Sequence, residues 1–299
     1  MAVGTDQAID TPRVLLTGAS GQIGVFAIPR LLRAGFKVLA VSRKGTPAGF
    51  PVSEGVEWLN ETEAILACQE CQYLLSAGPM ELAQKFLRTG GQLRTAVVFS
   101  SSSVETKQES SNPEENTQVR DMLTIESELH SCARERPIKL MILRPTLIYG
   151  CGLDSNISRL ASWIRRFGFM PLNGSAKGLR QPVHADDLAS LAVTALLSKD
   201  DLPRVLTVAG GETLSYAQMV SRIFTALGKP PRLLRMPEWL FVFFVGFANL
   251  LGIAGGINTE MVRRQGVDLV FDDQQARDLL NYHPRPFKPA EVDFSLPDS

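Results

Sequence analysis

The chain has 299 residues, 44% of them hydrophobic and 21% charged, the make-up of a globular protein with room for one large α/β core and a smaller lobe. Thirty-one basic side chains balance thirty-one acidic ones, so no basic excess supplies the phosphate contacts of a nucleic-acid binder, and no zinc spacing or aromatic-basic motif replaces it. Residues 1–11 lack a charged start followed by an apolar run, so no secretory signal is read and a reducing cytoplasm is the expected location.

The first element is the apolar run Val14-Leu15-Leu16, which leads into Thr17-Gly18-Ala19-Ser20-Gly21-Gln22-Ile23-Gly24 and then Val25 to Leu32. A strand, a glycine-rich turn and a helix in that order form a seat for a phosphate. The glycines take backbone angles closed to other residues and let the main chain approach a pyrophosphate, while the helix start offers N–H donors and a positive dipole end. Gly18, Ser20, Gly21, Gln22, Ile23 and Gly24 are therefore the candidate dinucleotide contacts, and Lys37–Val41 closes a βαβ unit of about thirty residues around them.

At the tip of that second strand an NAD-specific protein places an acid on the ribose diol. Here Ser42-Arg43-Lys44 stand instead, and a guanidinium suits a 2′-phosphate, so NADP is the expected cofactor, with NAD as the alternative. A basic loop that merely faces water is the plainer reading of the same residues.

Further strands are expected at 72–76, 95–100 and 139–144, with helices between them, which implies right-handed crossovers and a doubly wound parallel sheet. Cys68 and Cys71 have redox spacing but precede a strand rather than open a helix, and with Cys132 and Cys151 they read as thiols. His130, His184 and His283 have no ligand-spaced company, so no metal is expected. Lys107 to Asn116 is polar and reads as an exposed loop able to act as a lid. Ile157 to Phe169 reads as a helix of a second lobe, and Leu188 to Leu197 returns to the sheet. Arg159, Arg165, Arg166 and Arg180 either pair with a substrate diphosphate or form a solvated face. The run 239–255 is apolar and uncharged, short for a bilayer span, and suits burial between lobes, a dimer contact or a membrane surface. The division expected is 12–150 for the dinucleotide domain, with 180–200 packed back onto it, and 151–299 mostly for a substrate lobe.

Four more segments carry a resemblance. Leu75-Ser76-Ala77-Gly78-Pro79, Phe99-Ser100-Ser101-Ser102-Ser103-Val104, Arg144-Pro145-Thr146-Leu147-Ile148-Tyr149-Gly150 and Arg180-Gln181-Pro182-Val183-His184-Ala185-Asp186-Asp187-Leu188 follow the glycine turn in that order. Together they resemble the extended short-chain dehydrogenase/reductase superfamily, of the NAD(P)-dependent epimerase/dehydratase-like kind. The resemblance implies a Rossmann-type doubly wound parallel sheet with a smaller C-terminal substrate lobe, a nicotinamide cofactor, and a small substrate such as a nucleotide-sugar. It also places Ala77, Gly78, Pro79 and Pro145 beside the cofactor and Ser101 on the substrate's reacting oxygen.

One feature of that family is missing. Its redox members carry Tyr-x-x-x-Lys on the helix after the serine motif, where the phenol exchanges a proton and the lysine lowers its pKa. No tyrosine lies between Ser103 and Leu143. If Glu126 matches the family's glutamate four residues after the lysine, Gln118 and Met122 hold the two positions; if Glu128 does, Arg120 and Thr124 hold them. Glu126 is the replacement acid taken beside Ser101, with Asp121, Glu128 and His130 as further candidates and Tyr149 as the first phenol from elsewhere. An enzyme and a non-catalytic dinucleotide-binding sensor or assembly protein both fit this pattern.

Overall fold

The computed structural model describes residues 11–43, 47, 53–106, 113–237, 239–241, 243 and 264–295. Apolar strands and amphipathic helices alternate along the first half. The strands are β1 (Arg13–Thr17), β2 (Lys37–Val41), β3 (Val56–Leu59), β4 (Tyr73–Ser76), β5 (Thr95–Phe99) and β6 (Lys139–Pro145), and the helices α1 (Gln22–Arg33), α2 (Glu61–Ala67), α3 (Met80–Thr89), α4 (Ser103–Thr106) and α5 (Pro113–Glu135). There follow β7 (Ile148–Tyr149), α6 (Ile157–Phe167), β8 (Met170–Asn173), β9 (Leu179–Arg180), β10 (Val183–His184), α7 (Ala185–Leu197), β11 (Val205–Val208), β12 (Leu214–Ser215), α8 (Tyr216–Ala226) and β13 (Leu233–Met236). Near the C-terminal end come a short 3-10 turn, Arg264–Gly266, and the helix Gln274–Leu280.

Seven strands form one sheet in the order β11-β6-β5-β4-β1-β2-β3, every pair parallel. This is a Rossmann-type α/β fold, as the alternation implied. Successive side chains of each strand point to opposite faces, so the sheet has two cores. Val14, Leu16, Val38, Ala40, Leu75 and Val97 meet α1 and α7 on one face, while Leu15, Leu39, Leu74, Ala96 and Val98 meet α2, α3 and α5 on the other. The chain reverses its direction of travel across the sheet between β1 and β4, which opens a crevice above their carboxyl ends. A third core is built on Tyr149, Ile157, Ile164, Leu172, Phe224 and Phe287, all from the second half of the chain.

Two strands of the main sheet, β3 and β11, extend it beyond the five expected. Each is only four residues long and sits at an edge, so its apolar run is too short to stand out in sequence. The expected loop Lys107–Asn116 is also shorter, because Pro113 to Asn116 already belong to α5. Proline fits a first helical turn, and Glu114 and Glu115 complement its dipole. Residues 107–112 lie outside the described residues, as do 244–255 of the apolar run. Of that run's described part, Phe241 is buried while Trp239 and Phe243 are 73% and 70% exposed. Among the described residues no helix is long and apolar enough to cross a membrane.

Candidate functional site

The glycine turn is built by close backbone approach. Gly18 has φ +66°, and a Cβ there would stand 2.5 Å from the Ala77 carbonyl and the Gly78 nitrogen. Gly78 faces it in turn, with the Gly18 nitrogen 3.0 Å from its own Cβ position. Just below, Thr17 and Ser76 share a buried hydroxyl–hydroxyl hydrogen bond of 2.8 Å, and the Ala77 N–H donates to the Thr17 carbonyl at 3.0 Å. The ends of β1 and β4 are thus knit into one floor. Gly24, on the first turn of α1, would put a Cβ 2.3 Å from the Gly18 carbonyl oxygen. Because Gly24 lies inside a regular helix, Gly24→Ala tests packing alone. It is expected to cost about 1–3 kcal/mol in urea unfolding, the range for overpacking, and an unchanged midpoint would show slack in the turn.

The N-cap of α1 is Gly21, whose N–H donates to the Gly18 carbonyl at 2.8 Å; no side chain caps the helix and its first turn holds no acid. The positive end of α1 therefore points at the turn without an internal anion. Ser20, Gln22 and Ile23 belong to this turn and helix start. Arg43 is exposed just past the end of β2, with Ser42 half-buried beside it; Lys44 lies outside the described residues. Pro79 opens α3 on the same side as Ala77 and Gly78.

The serine motif stands at the carboxyl ends of β5 and β6, on the same edge of the sheet. The Ser100 N–H donates to Leu143 at 2.8 Å and the Ser102 N–H to Pro145 at 3.1 Å, so the loop is tied to β6 on both sides of Ser101. The Ser101 and Ser103 hydroxyls are 2.6 Å apart. Thr146, a neighbouring candidate, is committed elsewhere, since its buried hydroxyl donates to the Gln181 carbonyl.

Glu126 is not placed as an acid. It is 4% exposed and accepts hydrogen bonds from the Ser100 hydroxyl at 2.6 Å, from Arg144 Nε at 3.1 Å and from Arg144 Nη2. Both of its oxygens are thus taken up as acceptors. Arg144 Nη1 also reaches Glu105 at 3.3 Å, and Glu105 accepts from the Thr207 hydroxyl at 2.7 Å. Burial works against the Arg144 charge, but Glu126 and then Glu105 outweigh it and hold its pKa above the usual range. Glu126 is thus a post under the serine loop.

The other replacement acids fare no better. Asp121 and Glu128 are exposed, and Glu128 pairs loosely with Arg88 at 3.6 Å on the outer face of α5. His130 lines a cavity with Thr95, Lys139 and Arg204 at the opposite edge of the sheet, where burial and then Arg204 lower its pKa. Each of the four tyrosines has a packing role. Tyr73 packs on Phe36, and Tyr149 is enclosed by His184 and Phe287 at ring separations of 5.0 and 4.9 Å. Arg180 lies over Tyr216, and Tyr282 donates to the Ala209 carbonyl. Tyr149, the first reserve phenol, has its pKa raised by that burial and by Asp293.

The late His184–Asp187 motif is a joint. His184 caps α7 by accepting the Asp186 N–H at 3.0 Å, and Gly150 leaves room for its ring. Asp186 pairs with Arg30 of α1 and with Arg285, and Asp187 with Arg285, so the C-terminal segment is pinned to the sheet's helices.

The arginines expected to meet a diphosphate are mostly occupied. Arg180 is 5% exposed and spends its guanidinium on the carbonyls of Leu179, Val267 and Arg264. Arg165 pairs with Glu291 at 3.5 Å, and Arg166 covers Phe167. Another arginine, Arg264, pairs with Glu115 at the start of α5, 149 residues away in sequence. Sequence reasoning passed over it; the only signal was the dibasic Arg263-Arg264 after the apolar run.

Four free, buried cysteines agree with the thiol reading; burial, with Cys68 adding to it, pushes the Cys71 thiol up to about 12. Among the described residues no group of histidine, cysteine or acid side chains could hold a metal.

A parallel sheet with a glycine turn, small residues at the end of β4 and a serine loop beside β6 makes up a Rossmann-type fold. No family model matches the chain. It is 26% identical over 159 residues to UDP-glucose 4-epimerase of Vibrio cholerae, a match covering 53% of this chain and 46% of that protein. It is 25% identical over 253 residues to 2'-dehydrokanamycin reductase of Streptomyces kanamyceticus, covering 77% and 71%. Among solved structures, UDP-glucuronic acid 4-epimerase from Bacillus cereus, in complex with UDP-glucuronic acid and NAD, superposes with a TM-score of 0.67 at 18% identity, covering 94% of this chain and 98% of that one. The chain is thus similar to members of the extended short-chain dehydrogenase/reductase superfamily, of the epimerase/dehydratase-like kind.

Proposed function

We propose that the chain binds NADP, and less strongly NAD, and acts as an oxidoreductase of the epimerase/dehydratase kind on a nucleotide-sugar or similar small substrate. The observation that carries this reading is the joined floor of Gly18, Gly24, Ala77 and Gly78, where main chain replaces side chains beside an uncapped helix start. Such a surface favours a pyrophosphate and little else. The relatives' names add support for a nicotinamide dinucleotide and a UDP-sugar. The dinucleotide supplies a hydride donor or acceptor when bound. In this reading Gly18, Ser20, Gly21, Gln22, Ile23 and Gly24 hold its pyrophosphate, Ser42 and Arg43 its 2′-phosphate, and Ala77, Gly78, Pro79 and Pro145 its nicotinamide half. Ser101 directs its hydroxyl at the reacting oxygen, and Ser103 orients that hydroxyl. Residues 151–299 form most of the substrate lobe.

The cofactor part is tested by melting the protein with each dinucleotide. NADP at about a hundredfold its dissociation constant stabilises by about 2.7 kcal/mol, so it should raise the melting temperature more than NAD at equal concentration. Arg43→Asp should reverse the order, because it places a carboxylate where the ribose diol lies. Equal shifts in the parent protein would remove NADP preference from the proposal.

A second reading has its own observation. Helix α5 carries neither tyrosine nor lysine, and its inward acid is held by Arg144. A dinucleotide-binding sensor or assembly protein needs neither group. The proposed contact through 239–255, with Trp239 and Phe243 exposed, suits either reading; sedimentation with and without lipid vesicles separates a membrane contact from a second copy.

A further inference from the structure

Strand β6 starts three residues before β11 joins it at Ile142, so no strand covers Lys139, Leu140 and Met141 on that side. These residues line a cavity of about 250 Å³ at the amino ends of β5 and β6, walled also by His130 and Arg134 of α5 and by side chains of the stretch 198–204 after α7. Four strand steps of about 3.3 Å separate Thr95, in its wall, from Phe99, which precedes the serine loop, so a small ligand held here does not reach Ser101. The backbone at Arg204 is fixed, since its carbonyl accepts the Ile142 N–H at 2.8 Å, and the Lys139 ammonium donates to the Lys199 carbonyl at 3.0 Å. Among the described residues the Arg204 guanidinium and the His130 ring make no hydrogen bond, and no ion pair joins Arg134, Lys139 or Arg204 to Asp200 or Asp201, although all five line the one cavity.

We propose that this cavity binds a small organic oxyanion, a carboxylate or phosphate on a short apolar body, with Arg204 and Lys139 taking the charged head and His130 donating to it. The site is separate from the dinucleotide crevice: it lies at the opposite edge of the sheet, and none of the residues proposed for the cofactor lines it. Three cations against two acids leave the cavity positive, and the unspent donor fork of Arg204 matches the paired oxygens of such a head. Val97, Met141 and Leu202 give the wall an apolar stretch that suits a short hydrocarbon body. Binding here is linked to a proton. Burial and then Arg204, with Arg134 and Arg144 behind them, hold the His130 pKa below the usual imidazole value, against Glu126 one helical turn earlier. Lys139 adds to the opposing charge, and Asp200 and Asp201 offset part of it. An anion held against the ring reverses this balance, so His130 takes up a proton as the ligand enters, and affinity rises as pH falls from the bound His130 value to the free one.

The test is a pH titration of the imidazole signals by proton NMR. The chain has three histidines, so the His130 signal is assigned by its loss in His130→Gln. The probes are butyrate, whose charge is constant between about pH 6 and about pH 8, and inorganic phosphate, with sodium chloride at matched ionic strength as the control. Butyrate should raise the His130 midpoint by about one pH unit, the effect of an opposite charge brought close to a titrating group. Arg204→Gln, a change at an exposed side chain that the fold tolerates, should raise the midpoint with no anion present and abolish the further rise with butyrate. The concentration at which each probe acts separates the two heads: butyrate acting at the lower concentration supports a carboxylate, and phosphate acting at the lower concentration supports a phosphate. An equal rise with chloride is screening of Arg204 rather than binding and overturns the proposal. A midpoint that neither probe moves, or a rise that persists undiminished in Arg204→Gln, overturns it as well.

Discussion

Arg144→Met should destabilise the protein by about 3–5 kcal/mol in urea unfolding, the usual result of stranding one partner of a buried ion pair. Glu126 would keep the Ser100 hydroxyl as its donor and lose the two N–H donors of the Arg144 guanidinium. Against a typical stability of about 5–15 kcal/mol, that loss leaves a protein on the margin of folding. The sign with pH is plain: the Arg144 pKa is raised on folding, so its share of stability is complete below the unfolded value and is lost only in strong alkali. The arginine's own titration therefore adds no pH dependence below strong alkali. A paired change, Glu126→Met with Arg144→Met, should recover much of it, because apolar groups of similar volume replace buried ions at little cost. By contrast, Lys85→Met breaks the exposed pair with Glu61 and should cost under about 1 kcal/mol. A loss below about 1 kcal/mol for Arg144→Met would show that the pair is wetter than its burial indicates, and would return Glu126 to the list of acids.

What could be read in advance follows the range of the interactions. The glycine turn is local: strand, turn and helix run without a break from Arg13 to Arg33, and the positive φ of Gly18 and the close approach at Gly24 arise within that stretch. The parallel sheet follows from alternation of apolar runs and helices in the same way. Glu126 misled because its position on α5 is local information but its partners are not: Ser100 lies 26 residues before it, just past β5, and Arg144 18 after, on β6. Nothing in the sequence near Glu126 says that a guanidinium waits there. Arg180, on β9, is similar: its three acceptors are carbonyls, two of them more than eighty residues away, which neither the diphosphate nor the solvated-face reading foresaw. The Arg264–Glu115 pair joins the two most distant of these positions, and no periodicity or spacing points to it. Glu126 is buried and Glu128 exposed, and we propose on that ground that Gln118 and Met122, rather than Arg120 and Thr124, stand at the positions that match tyrosine and lysine in the resemblance.

That register allows the missing pair to be put back. Gln118 is exposed and Met122 half-buried on the turns of α5 that precede Glu126, and substituting both should complete a proton path beside Ser101. The double variant Gln118→Tyr with Met122→Lys is expected to raise turnover of reduced dinucleotide with a carbonyl substrate by about a hundredfold or more, the usual contribution of a positioned general acid. Gln118→Tyr alone should give less, because a phenol with an ordinary pKa near 10 is a weak acid at neutral pH until an ammonium one turn away lowers it. Met122→Lys alone should give nothing. Ser101→Ala in the restored background should then cost about ten- to a hundredfold, since the hydroxyl that steers the reacting oxygen is gone while the acid remains. The measurement is the rate of dinucleotide oxidation at saturating cofactor, with dinucleotide affinity checked in each variant. A double variant that still binds dinucleotide and turns over no faster than the parent would show that the serine loop and α5 do not converge on one reacting atom. The chain would then be a binder whose serine loop, held by Glu126 and Arg144, shapes a surface for a partner rather than a transition state.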